Sequence, residues 1–148
     1  MSFLSSMNIS ASAMTAQRLR LDVASENIAN IDTTRTESGT AYRRKMVVLE
    51  SRNQSSFRRT LMNAADLSQN QSTGGVRVSQ IVEDTSPFKS VYSPEHPDAD
   101  ELGYVQMPNV ELIKETVDSM SATRSYEANI TALNAIKLMA SKALEIGK

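Results

Sequence analysis

The sequence predicts a mainly α-helical chain with a small β part, its long N- and C-terminal helices pairing as an antiparallel coiled coil around a short β-hairpin and loop region. Three observations carry that expectation. Ser2 to about Ile31 and Asn109 to Ile146 contain no Gly or Pro, whereas the middle holds all four Pro and four of the five Gly. Apolar residues recur at helical spacing at both ends. The chain has three Phe, four Tyr and no Trp, so its apolar content is mostly Ala, Val, Leu, Ile and eight Met, side chains suited to helix packing. At 148 residues it is one modest domain.

Residues 1–34 form the first element. Leu4, Met7, Ala11, Met14, Leu21 and Ile28 follow one another at spacings of three, four and seven, with Arg18 and Ser25 in the two vacant heptad places. At about 100° per residue, Ile9, Ala13, Ala16, Val23, Ala24 and Ile31 fall on a different face. The helix therefore offers apolar surface in two directions, and one partner cannot cover both. Asn27 and Asn30 are expected to cap or turn its end.

Residues 35–108 form the middle region. Tyr42 to Leu49 and Val76 to Val82 are rich in β-formers and follow Gly39 and Gly74-Gly75, which predicts two short strands, with a third at Lys89 to Tyr92. Residues 53–73 are rich in Ser, Asn and Gln, with a weakly helical patch at 61–67, and read as a mobile polar insertion. Residues 86–103 form a Pro-rich acidic loop pinned by Pro87, Pro94 and Pro97.

Residues 109–148 form the C-terminal element. Asn109 after Pro108 predicts the helix start, with Glu111 and Glu115 at the positive end of its dipole and Lys142 and Gly147 near its finish. Val110, Ile113, Val117, Met120, Ala128, Ala135, Leu138 and Ile146 share one side. Leu112, Ala122, Tyr126, Ile130, Leu133, Ala140 and Leu144 lie roughly opposite.

The chemistry-bearing residue types are sparse. The chain has no Cys, which removes disulfides and thiolate metal sites. Glu95, His96, Asp98 and Asp100 gather near Pro97, but a calcium loop begun at Asp98 would place Leu102 and Asn109 where an oxygen ligand and the closing Glu belong. His96, between two prolines, reads as a turn residue, and no nucleophile elbow or phosphate-cradling loop is present. The sequence thus predicts no catalytic residue, no metal and no cofactor. No apolar run approaches the ~20 residues of a membrane span, and the first residues lack the pattern of a secretory signal peptide.

Charge is divided along the chain. From Arg35 to Arg59 seven basic residues face Glu37 and Glu50, a net +5; from Glu83 to Asp118 nine acidic residues face Lys89 and Lys114, a net -7. Nucleic-acid binding fits poorly, because stacking aromatics are few and the whole chain carries -1. A surface positive at one end and negative at the other complements itself head to tail, and such contacts propagate into a ring or helical filament. Arg43, Arg44, Asp98 and Asp100 are the candidate charge-complementary contacts.

Asn27-Ile28-Ala29-Asn30, after Leu21 and Ser25, resembles the N-terminal motif of the axial proteins of the bacterial flagellum. Tyr92-Ser93-Pro94-Glu95-His96-Pro97-Asp98-Ala99-Asp100, Gly103 to Val110, and Arg124-Ser125-Tyr126-Glu127-Ala128-Asn129 narrow the resemblance to that family's proximal rod subunits. Tyr42-Arg43 and Thr73-Gly74-Gly75-Val76 also sit where similar chains carry them, although Ala41 and Ser93 depart from the usual pattern.

The resemblance implies a non-enzymatic rod subunit, exported through the flagellar type III apparatus without a cleaved signal peptide and polymerised in the periplasm. Expected partners are copies of itself, paralogous rod proteins, the rod-base adaptor and surrounding rings, with no nucleic acid and no membrane insertion. The candidate assembly interface comprises Leu4, Met7, Ala11, Met14, Leu21, Asn27, Ile28 and Asn30 at one end. At the other it comprises Val110, Ile113, Val117, Met120, Arg124, Tyr126, Asn129, Ile130 and Leu133. Arg124, Tyr126 and Asn129 are expected to fix register. The competing reading is a soluble helical adaptor or chaperone, which would fold alone and stay monomeric or dimeric.

Overall fold

A computed structural model describes residues 3–52, 61, 64 and 74–146. It is mainly helical: α1 spans Phe3–Ala29 and α2 spans Leu112–Ile146, with strands β1 (Lys45–Ser51), β2 (Val76–Glu83), β3 (Lys89–Tyr92) and β4 (Tyr104–Met107) between them. The polar insertion and its helical patch lie outside the described residues, apart from Leu61 and Ala64.

The strands form two pairs, β1 with β2 and β3 with β4. Backbone bonds from Arg52 N to Gly75 O and from Asp84 N to Arg44 O, at opposite ends of β1 and β2, run those strands antiparallel. In the second pair Tyr92 lies opposite Tyr104 and Lys89 opposite Met107. β4 is a strand that the sequence reading did not assign. It is four residues long, and its pairing partner lies across the Pro-rich loop, so no local alternation announces it.

Two compact units share the chain, one of Arg18–Val48 and Gln80–Thr123, the other of Met1–Gln17, Leu49–Ser79 and Arg124–Lys148. The first has a core of Val23, Ala24, Ala41, Tyr42, Val105, Val110 and Ala122. Its β3–β4 hairpin turns at Gly103, whose φ of +81° suits glycine and where a Cβ would lie 3.0 Å from the Tyr92 ring. The Tyr92 and Tyr104 rings meet edge to face at 5.4 Å.

In the second unit Ser10 and Ala16 are buried on α1. Gly75, at φ +130°, runs so close to α1 that a Cβ would stand 2.6 Å from the Ser12 hydroxyl. That hydroxyl accepts from Val76 N at 3.1 Å and donates to Ile9 O at 2.7 Å. Within α2, Tyr126, Asn129, Leu133, Ile136 and Ala140 are half-buried at the three- and four-residue spacing of one helix face.

Asn109 does not cap α2. Its Oδ1 accepts from Arg44 N at 2.8 Å, its Nδ2 donates to Asp84 O and Ser86 O, each at 3.2 Å, and the helix begins at Leu112. Backbone just before β1 and just after β2 claims the side chain instead.

Candidate functional site

The most heavily bonded place in the Arg18–Val48 and Gln80–Thr123 unit is a polar joint between the end of α1, the start of β1 and the first turns of α2. Asn27 is 1% exposed at its centre. Its Oδ1 accepts from Tyr42 Oη at 3.0 Å and Lys45 N at 2.9 Å, while its Nδ2 donates to Lys45 O at 2.9 Å and Glu115 Oε2 at 3.0 Å. Because Lys45 N can only donate and Lys45 O can only accept, the amide has one orientation that fits, and in it all four hydrogen-bonding places are filled.

Glu115, 2% exposed, uses its other oxygen to accept from Arg44 Nε. Arg44, 7% exposed, also donates from Nη2 to Asp118 Oδ2 at 3.2 Å and lies 3.8 Å from Asp84 Oδ2. A planar fork with five donors reaches three separately placed carboxylates from three different nitrogens, whereas a lysine offers one compact ammonium. Among the described residues no buried polar side-chain atom lacks a partner.

The electrostatics follow from this crowding. Burial, with the carboxylates of Glu26, Glu115 and Glu83 nearby, pushes the Tyr42 phenol up to about 12. Asp84 is held below the ordinary carboxylate range by the Ser86 hydroxyl and backbone N–H, with help from the Arg44 and Lys114 charges.

Around the joint, α2 turns apolar side chains to solvent. Ile113, Val117 and Met120 are 81%, 59% and 51% exposed, at the three- and four-residue spacing of a single stripe. On α1, Leu4 and Ala11 are exposed and Met7, Met14, Leu21 and Ile28 are half-buried, whereas the other face supplies the buried Ala16, Val23 and Ala24. Of the remaining candidates, Arg124 and Ile130 are exposed and Tyr126, Asn129 and Leu133 half-buried. Asn129 Nδ2 donates to Ser125 O of its own helix at 2.7 Å. Asn30 Nδ2 donates to Glu26 O at 2.9 Å in the last turn of α1, and its Oδ1 accepts from Thr33 Oγ1 at 3.1 Å.

Three expectations are corrected. Asn27 neither caps α1 nor faces outward, because the backbone of Lys45, the Tyr42 hydroxyl and the Glu115 carboxylate take its whole amide. Val110, expected at the assembly interface, is a core residue. Arg44, expected at a charged surface, is spent inside the chain on Glu115, Asp118 and Asp84.

The other charge candidates are engaged but less deeply. Arg43 donates to Asp84 O at 3.2 Å and lies 4.4 Å over the Phe88 ring. Asp98 accepts from Thr34 Oγ1 at 2.8 Å and sits 3.7 Å from Arg35, and Asp100 accepts from Leu102 N and Tyr104 N in its own turn. His96 Nδ1 accepts from Asp98 N at 3.1 Å.

The sequence reading missed Glu115, Tyr42, Asp84, Asn109 and Asp118 as parts of one site. One signal was available: Glu115, Ala122 and Asn129 recur every seven residues, a stripe in which a polar residue marks a specified position.

Two family models match the chain, one described as flagella basal body rod protein over residues 7–35 and one as flagellar basal body rod FlgEFG protein C-terminal over residues 101–146. Both define the class as rod components of the flagellar basal body. The flagellar basal-body rod protein FlgC of Bacillus subtilis is 53% identical over 147 residues, covering 97% of each chain. The protein of that name from Borreliella burgdorferi is 44% identical over 99% of this chain and 98% of its own, and that from Salmonella typhimurium is 42% identical over the whole of both. The chain belongs to the flagellar basal-body rod protein FlgC family, a family of structural proteins and not of enzymes. Its place is the flagellar basal body. Among the described residues no helix is long and apolar enough to cross a membrane.

Proposed function

We propose that this chain is a subunit of the proximal rod, polymerising through its terminal helices into the periplasmic drive shaft that carries torque from motor to hook and filament. The observation that carries the reading is the α2 stripe of Ile113, Val117 and Met120, an apolar face left to solvent on a chain whose relatives are rod proteins. Leu4, 68% exposed, adds apolar surface on α1. The two terminal helices pair as an antiparallel hairpin or coiled coil, each using one apolar face within the subunit and the other between subunits, so that copies and paralogous rod proteins overlap along the shaft. The rod-base adaptor, the surrounding rings and, in transit, the type III export apparatus are its further partners.

Val117→Lys tests this reading. The substitution sits at a solvent-facing position and should leave helicity of the dilute chain unchanged by circular dichroism. It should abolish filaments formed with the other rod proteins and fail to restore motility to a strain lacking its own copy. Motility restored to the wild-type level would refute the assembly role of this face.

A further inference from the structure

The first turns of α2 set two forces against each other. At about 100° per residue, positions 113 and 117 lie roughly 160° from position 115 around the helix axis, and 120 lies on their side. One side of the helix therefore carries Ile113, Val117 and Met120, and the other carries Glu115, Asp118 and Ala122. Hydrophobic burial alone would turn the first set inward. The structure does the reverse: Glu115 and Ala122 are buried while the three apolar residues stand in solvent.

We propose that the joint of Asn27, Arg44 and Glu115 is a rotational register lock for α2. It draws the carboxylate inward and thereby holds the apolar stripe outward. Both oxygens of Glu115 are engaged, one by Asn27 Nδ2 and the other by Arg44 Nε. A rotation that buried Ile113 and Val117 would carry Glu115 into solvent and leave Arg44 Nε and one Asn27 donor buried without their acceptor. Stranded buried charge is strongly disfavoured, whereas an intact buried pair adds little net stability over apolar packing. The lock thus selects one rotation among alternatives of similar hydrophobic content, as a lone polar residue does in a coiled-coil seam. Asn27 and Arg44 are positioning residues that act on the outward stripe through Glu115. The lock goes beyond the rod-subunit reading and is testable without any polymer.

The absence of native cysteine permits a direct test on the dilute full chain. Val117→Cys places a thiol on the outward stripe and Ala122→Cys places one on the inward side. With the joint intact, the first should react with a thiol reagent at least roughly tenfold faster than the second, in line with the protection of buried helix positions. Equal rates would overturn the proposal.

The same pair is then measured with Asn27→Leu, Arg44→Met and Glu115→Leu combined, which keeps approximate volume and removes the polar network. The rate ratio should collapse or invert while helicity persists, and a ratio unchanged in a helical variant would show that apolar packing alone sets the rotation. Should the triple variant lose helicity, Glu115→Gln decides, since it keeps the shape and surrenders the charge facing Arg44. A severalfold fall in the ratio supports the lock, and no change overturns it.

Discussion

Asn27 Nδ2 donates to Glu115 Oε2 at 3.0 Å, joining the last turns of one terminal helix to the first turns of the other across 88 residues of chain. The bond is buried, and the strand backbone at Lys45 holds the amide from its remaining side. This arrangement makes the joint brittle toward single changes, because all four places of the Asn27 amide and both oxygens of Glu115 are engaged, and removing one group leaves a buried polar atom without its acceptor or donor.

Asn27→Asp should be among the most damaging conservative changes available. It replaces two donors by a carboxylate facing Glu115 and Lys45 O, leaving like charges in contact. We expect a loss of about 3 kcal/mol or more in urea unfolding at neutral pH. A neutral-pH stability equal to wild type would contradict the geometry.

Arg44→Lys keeps the charge and loses the fork. A single ammonium cannot reproduce the bonds to Glu115 and Asp118 together with the approach to Asp84, so thermal unfolding should report a loss of about 1–3 kcal/mol. Arg44→Ala should cost more, since it leaves Glu115 buried without its cation.

Alkaline stability should depend on Tyr42. Its phenol is raised from the ordinary 10.0 to about 12 in the folded chain, so its contribution is whole below pH 10, declines above that value, and is lost as pH rises through about 12. Unfolding measured across this window in wild type and Tyr42→Phe should show a shallower decline in the variant. Parallel curves would mean that the phenol does not titrate as its surroundings dictate.

At the acid end the sign reverses. Asp84 is lowered below 3.8 in the fold, so its contribution is present above that value and lost as pH falls through the depressed pKa. Asp84→Asn should be less stable than wild type at neutral pH and converge with it in strong acid, a comparison that chemical denaturation at several pH values makes directly.

Two glycines should respond differently to alanine. Gly39, at φ +77°, has nothing within 4 Å of an added Cβ, so Gly39→Ala should cost only the left-handed backbone, about 1 kcal/mol. Gly75→Ala adds a collision with the Ser12 hydroxyl to its backbone strain and should cost about 2–3 kcal/mol. Thermal melts of the two variants would rank them, and equal shifts would exclude the close approach to α1.

The helices were legible because two long stretches lack Gly and Pro, and β3 was legible in its β-formers Val91 and Tyr92. β1 was expected to begin at Tyr42 and begins at Lys45 because the Tyr42 side chain turns in to the Asn27 amide. The joint stayed hidden for a different reason. Periodicity ranks residues by hydropathy, so Asn27, Arg44 and Glu115 count as surface even though their bonds to one another make burial tolerable. Only the fold brings positions 27, 44, 84 and 115 together, and no local pattern encodes such a meeting.

The distance in sequence between Asn27 and Glu115 also governs when the joint can form. Closing a loop of 88 residues costs roughly 4 kcal/mol of chain entropy, and nothing local refunds it until β1 and α2 arrive together. A chain growing from its N-terminus therefore meets the Tyr42 and Lys45 partners of Asn27 early and lacks its Glu115 acceptor until α2 begins. A contact of such long sequence separation forms late, and it slows the folding of the unit that holds it.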